Sequence, residues 1–248
     1  ELAVARGRVA GAGQFHLHVR VAAIGRGRVL VLIEDRTAAK RLEDMRRDFV
    51  ANVSHELKTP VGAICLLAET VEGAVDDPRI VRDYIGRIRK ESTRLETLVQ
   101  EIIELSRLQE GDALVEPDDV DLDAVVAEAL DRVRTEAEAE EVVLVAGGTR
   151  GLHVRGDAAL ITTAVRNLLD NAIRYSEPRT RVSVGVSLDP EHSDIVRIAV
   201  VDQGIGIPKE EQERVFERFY RVDKARSRAT GGTGLGLSIV KHVAADHG

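Results

Sequence analysis

Residues 42–71 read LEDMRRDFVANVSHELKTPVGAICLLAETV. Leu42, Met45, Phe49, Val53, Leu57, Val61, Ile64, Leu67 and Val71 recur there at steps of three and four, the period of one helical face. The spacing predicts a long amphipathic helix starting near Thr37. Asp76, Asp77 and Pro78 interrupt it, and a second helix follows with Ile80, Tyr84, Ile88, Leu95, Leu98, Ile102 and Leu105 on one face. Helix, short loop, helix makes an antiparallel hairpin. Each stripe is wider than one partner helix covers, so two hairpins forming a dimeric four-helix bundle are predicted to bury both.

On the N-terminal side, residues 14–21 (QFHLHVRV) alternate, with Phe15, Leu17, Val19 and Val21 on one face, as a half-buried strand does. A turn over Gly25–Arg28 leads to a second strand, VLVLIE. Two strands alone do not make a stable domain, so these read as the end of a larger sheet. On the C-terminal side, Gly111–Asp121 reads as an acidic linker. Beyond it come a helix over Leu122–Ala139, strands near Val142–Val145 and Leu152–Val154, and a helix over Asp157–Arg174. Strands over Arg181–Leu188 and Ile195–Val201 follow, then a glycine-punctuated stretch from Gln203 to Thr233 and a last helix from Gly234. Mixed elements of this kind make an α+β two-layer sandwich. The expected domains are 1–36, 37–110 and 111–248.

The chain has 248 residues, 44% hydrophobic but only 3% aromatic, with no Trp, so its cores are aliphatic. A net charge of −7 with so few aromatics argues against nucleic acid as a partner, because phosphate attraction dominates that affinity. The single Cys65 excludes an internal disulfide and a cysteine-cluster metal site. The longest apolar run, Val29–Ile33, is of strand length, far short of a bilayer span. The chain starts at Glu1 and is expected to be part of a longer protein.

In DFVANVSHELKTP, Asp48–Pro60, His55 points away from the Phe49/Val53/Leu57 stripe. A neutral imidazole is a good nucleophile, and a carboxylate beside it, Glu56, can hold the Nδ1 proton and leave Nε2 free to attack. Pro60 bends the helix just beyond. A solvated histidine beside an ordinary surface glutamate is the plain alternative. Farther on, Asn167 and Asn171 stand four apart on one helical face, and amide oxygens are hard ligands suited to Mg2+. Asp202-Gln203-Gly204-Ile205-Gly206 follows a strand: the acid can accept from an amino group, and glycines admit a close approach. Gly231-Gly232-Thr233-Gly234-Leu235-Gly236-Leu237 opens a helix, where backbone amides make an anion site. It is neither a P-loop nor a Rossmann turn.

Together these segments resemble the sensor histidine kinases of two-component systems. Asp48–Pro60 resembles the H-box, Arg166–Ser176 the N-box, Asp202–Pro208 the G1 box, Phe216–Arg221 the F-box and Gly231–Leu237 the G2 box, in the family's order. The wording RRDFVANVSHELKTP is similar to actinobacterial phosphate-responsive sensors. The resemblance implies ATP and Mg2+ as cofactors, His55 as phosphoacceptor with Glu56, and Asn171 as Mg2+ ligand assisted by Asn167. It places Arg174, Tyr175 and Arg221 at the phosphates, Asp202 with Gly204 and Gly206 at the adenine, and Gly232, Thr233, Gly234, Leu235 and Gly236 around the phosphates. Phe216 and Phe219 are expected to anchor a lid. Glu56-Leu57-Lys58-Thr59 resembles the ExxT pattern of members that also dephosphorylate their partner, which brings in Thr59. The implied partners are a response regulator receiver domain and a second copy of the chain. The implied setting is the cytoplasmic portion of a cell-membrane sensor, touching the membrane only through segments outside this chain. Residues 1–36 resemble the last strands of a PAS-like domain. The family's ATP domain continues past the G2 helix into a strand hairpin, which is expected to be missing here.

Two competing functions differ in class. A non-catalytic dimerisation and docking pseudokinase would lack part of the residue set. A gyrase- or chaperone-type ATPase would carry an acid four residues before Asn171, where this chain has Asn167.

Overall fold

A computed structural model describes residues 2–5, 14–25, 28–73, 77–109, 117–192, 194–222 and 232–247. The tip of the Gly25–Arg28 turn, the loop at 74–76, residues 110–116 of the acidic stretch and residues 223–231, including Gly231, lie outside the described residues. The chain divides into two compact units, Glu1–Glu56 and Leu57–Gly248, with the boundary inside the first long helix.

In the first unit, strands β1 (Leu2–Ala5), β2 (Gln14–Gly25) and β3 (Arg28–Asp35) form an antiparallel sheet in the order β1-β2-β3. The half-buried strand holds at Phe15–Val19, but Val21 is 65% exposed, so the far end of the hairpin is open. Helix α1 (Thr37–Gly73) starts where the sequence places it, because three contacts fix its first residue. Asp35 Oδ1 accepts the Thr37 N–H at 2.9 Å, Thr37 Oγ1 accepts the His16 N–H at 2.8 Å, and the Arg36 N–H donates to His16 O at 2.8 Å. An acid capping the first orphan amides is a common helix start.

Pro60 lies inside α1. Helix α2 (Pro78–Gln109) opens with proline in its first turn, and Asp77 Oδ1 accepts the Arg79 and Ile80 N–H groups at 3.0 and 3.3 Å. In the second unit, β4 (Asp118–Asp121) pairs antiparallel with β6 (His153–Gly156). Strands β5 (Val143–Gly148), β7 (Arg181–Leu188) and β8 (Val196–Val201) form a sheet in the order β5-β7-β8, parallel then antiparallel. Helices α3 (Leu122–Ala139) and α4 (Ala158–Tyr175) pack together, and α4 also meets β7, β8 and α5 (Gly236–Asp246). The core joins Leu122, Ala129 and Val133 of α3, Val165, Leu169 and Ile173 of α4, and Val182, Val184 and Val186 of β7. Period-two burial along β7 puts alternate valines on the helices.

One expectation changes. The end of the acidic stretch, read as linker, is strand β4: Val120 is buried opposite Val154 while the flanking aspartates point out. A run of charge concealed a single inward residue.

Candidate functional site

The site hangs on α4. Asp157 caps it, its Oδ1 accepting the Ala159 and Leu160 N–H groups at 2.8 and 3.0 Å. The Asp157 N–H donates to His247 Nε2 at 3.0 Å, and His247 Nδ1 lies 2.7 Å from Val243 O. Those contacts fit a neutral imidazole with its proton on Nδ1. The end of α5 thus locks the start of α4. Gly156 completes the lock, since a Cβ there would stand 2.3 Å from the His247 ring.

Along α4, Asn167 is buried. Its Nδ2 donates to Thr163 O at 3.0 Å, and its Oδ1 lies where a Cβ on Gly236 would come within 2.8 Å. Gly236 is therefore required for α5 to reach Asn167. Asn171, one turn later, is half-buried.

The next turn carries Arg174. Its Nη1 and Arg221 Nη2 converge on Gly232, 3.3 and 3.9 Å from the place of an added Cβ. Arg174 also pairs with Glu136 of α3 at 3.9 Å. Thr233 is buried beside them, and its Oγ1 accepts the Leu235 N–H at 3.3 Å. Gly234 has φ +79°, and a Cβ there would strike Phe219 at 2.9 Å. The Phe219 N–H donates to Gly234 O at 2.8 Å, so the Phe216–Arg221 segment is stitched to the glycine loop. Phe219 is half-buried whereas Phe216 is 37% exposed, so only one of the two expected anchors is covered. Leu235 is fully buried, with its carbonyl accepting from Ser238 Oγ at 2.7 Å.

The end of α4 meets the other glycine turn. Asp202 Oδ1 accepts the Gly204 N–H at 2.8 Å, and a Cβ on Gly204 would stand 2.5 Å from Tyr175 O. Gly204 is thus forced by the Tyr175 backbone. Gly206 has φ +72° and faces open space. Asp202 is exposed, with one carboxylate oxygen committed to its own turn. The cavity of about 430 Å3 between β4 and α3, lined by Asp118, Asp121 and Glu128, lies apart from these residues, and its acidic walls suit no phosphate.

On α1, His55 is exposed and Glu56 beside it half-buried, while Thr59 is exposed and Pro60 buried.

The sequence reading missed a charged group. Glu101, on α2, is 9% exposed. Burial pushes its carboxyl up to about 7, against the hydrogen bond from Thr233 and the attraction of Arg174 and Arg166, with Glu104 adding to the rise. Glu104 pairs with Arg166 of α4 at 3.8 Å. Asp170 is pushed up to about 6 by burial and by Glu136, with Arg166 and Arg174 opposing. The signal was available in the spacing: Leu98, Glu101, Leu105 and Leu108 share one helical face at steps of three and four, and all are buried.

Comparison with known proteins places these elements. Residues 45–111 match the His Kinase A (phospho-acceptor) domain, and residues 156–248 the histidine kinase-, DNA gyrase B- and HSP90-like ATPase domain. The sensor-like histidine kinase SenX3 of Mycolicibacterium smegmatis is 51% identical over 218 residues, 88% of this chain and 56% of that protein. The phosphate regulon sensor protein PhoR of Pseudomonas aeruginosa is 33% identical over 236 residues, 94% of this chain and 52% of that protein. The chain spans about half the length of these relatives. The solved histidine kinase ThkA, in complex with the response regulator protein TrrA, shares the fold, with a TM-score of 0.56 at 23% identity over 86% of this chain and 66% of that one. No helix among the described residues is long and apolar enough to cross a membrane. With a phospho-acceptor helical region followed by an α/β ATPase domain, the chain belongs to the sensor histidine kinase family.

Proposed function

We propose that this chain is the kinase portion of a sensor histidine kinase, which autophosphorylates His55 from ATP and passes the phosphoryl group to an aspartate of a response regulator. The observation that carries this reading is the convergence of Arg174 and Arg221 on Gly232 at the head of α5. Two guanidinium groups, the Thr233 hydroxyl and a helix N-terminus suit a polyphosphate. Asn171 would hold Mg2+, which when bound offsets charge on the phosphates. Asn167, engaged with Thr163 and Gly236, supports that turn of the helix. Asp202 keeps one oxygen for the adenine amino group while the other shapes its turn. His55 is exposed on α1, as an acceptor serving two proteins in succession needs to be. Its Nε2 lone pair attacks the γ-phosphorus as the bond to ADP breaks, and Glu56 holds the Nδ1 proton.

We assign 37–110 to dimerisation and phosphotransfer, 111–248 to ATP binding, and the β1-β2-β3 sheet within 1–36 to the end of a PAS-like domain. The setting we propose is the cytoplasmic portion of a membrane sensor, in keeping with relatives named as sensors. Thr59 lies one turn after His55 on α1 and is exposed, a position from which a hydroxyl can orient water for dephosphorylation of the partner.

The test is radiolabelled ATP with wild type and His55→Gln. The variant is expected to bind ATP but take up no label, and the wild-type adduct to be acid-labile and base-stable. Label that survives acid, or is undiminished in the variant, removes His55 as acceptor.

A further inference from the structure

Glu101 lies on the buried face of α2, between Leu98 and Leu105, and α2 packs against α5. One carboxyl oxygen takes the Thr233 hydroxyl, while Oε2 has no hydrogen-bond partner among the described residues. Arg174 stands close enough to attract the group, and the same guanidinium approaches Gly232 just ahead of α5. The α5 N-terminus carries no side-chain cap. Carboxylate and phosphate are both oxyanions and take the same donors: guanidinium, hydroxyl and helix N-terminal N–H.

We propose that Glu101 is a built-in occupant of the phosphate seat, so that docking of α2 on α5 and nucleotide binding exclude each other. The inference rests on the nucleotide reading above. With α2 docked, the side chain fills the place beside Thr233 and Arg174 that phosphates need. Its burial on the face of α2 that packs against α5 ties its departure to a loosening of that contact. Burial disfavours its ionised form, and a multiply charged nucleotide competes for the same donors. Nucleotide then acts twice, as phosphoryl donor and as the release of α2. Apparent affinity is lowered by the fraction of molecules in which the seat is filled.

The test uses the 248-residue chain with Mg-ADP and with adenosine, which has no phosphate. Glu101→Ala empties the seat and is expected to tighten Mg-ADP binding about three- to tenfold in calorimetry, with adenosine unchanged. Glu101→Gln keeps the seat filled with a neutral group of the same shape and is expected to match wild type or bind more weakly. In the unaltered chain, Mg-ADP is expected to speed amide exchange across 98–108, and adenosine to leave it unchanged; if Glu101→Ala does not fold, this experiment decides. Equal Mg-ADP affinity in Glu101→Ala and wild type overturns the proposal. So do tightening for adenosine as well, tightening by Gln as large as by Ala, or exchange indifferent to Mg-ADP. In those cases the nucleotide site itself stands. Absence of Mg-ADP binding in all three proteins would instead overturn the nucleotide reading, and this inference with it.

Discussion

The two long helices and the sandwich draw on the same aliphatic residues and treat them differently. In the sandwich, Leu122, Leu169, Ile173 and Val182 are sealed within the chain. In the long helices, Leu42, Met45 and Val61 of α1 and Ile80 of α2 belong to apolar stripes and are exposed. A sheet covered by helices closes its own core, whereas two long helices expose more apolar stripe than they can cover for each other. The C-terminal part of α2 is the exception, because Leu98, Leu105 and Leu108 are buried there, and α2 packs against α5. The two long helices therefore have two kinds of apolar face, one exposed and one already in use.

Substitutions can break that contrast. Leu169→Ala opens a cavity in the closed core and is expected to cost about 2–5 kcal/mol, read as a lowered midpoint for the ATP-binding unit in thermal or urea unfolding. An unchanged midpoint would mean that the core is not sealed. Met45→Asp, on the open stripe, is expected to leave that midpoint alone and to weaken the proposed dimer by about 2 kcal/mol, or ~30-fold, in sedimentation equilibrium. A chain that is already monomeric at micromolar concentration would remove the bundle.

Two smaller effects sharpen the comparison at the site. Gly236→Ala drives a methyl against Asn167 Oδ1, and is expected to cost about 1–3 kcal/mol and to weaken ATP binding while leaving dimerisation intact. Full retention of ATP affinity would show that α5 can shift away from α4. The smallest effect is on pH dependence. Glu101 is raised to about 7 and Asp170 to about 6, so the folded, docked form holds their protons more tightly than the unfolded chain. Their stabilising contribution is complete below their ordinary values near 4.5 and 3.8, and is lost as pH rises through about 7 and about 6. The unfolding midpoint is expected to fall between pH 5 and 8, and Glu101→Gln to flatten the slope. A slope that the variant leaves unchanged would place Glu101 in water.

Local pattern carried much of this protein. The three- and four-residue steps of 42–71 mark α1 and put its start near Thr37, and alternation defines β7. Spacing along one helix, and short motifs, likewise picked out His55, Asn167, Asn171 and the glycine turns, because their chemistry is written in neighbouring residues. What lies far apart in the chain was decided only by the tertiary structure. Asn167 faces Gly236 rather than open space, Gly204 is forced by Tyr175, and His247 fixes the start of α4 across 90 residues of sequence. Spacing put Glu101 in a leucine stripe, but its burial, like that of Val120 in its acidic run, was unreadable for one reason. Whether a charged helix face or a charged strand is buried depends on which element lands on it, and that is settled by packing rather than by period.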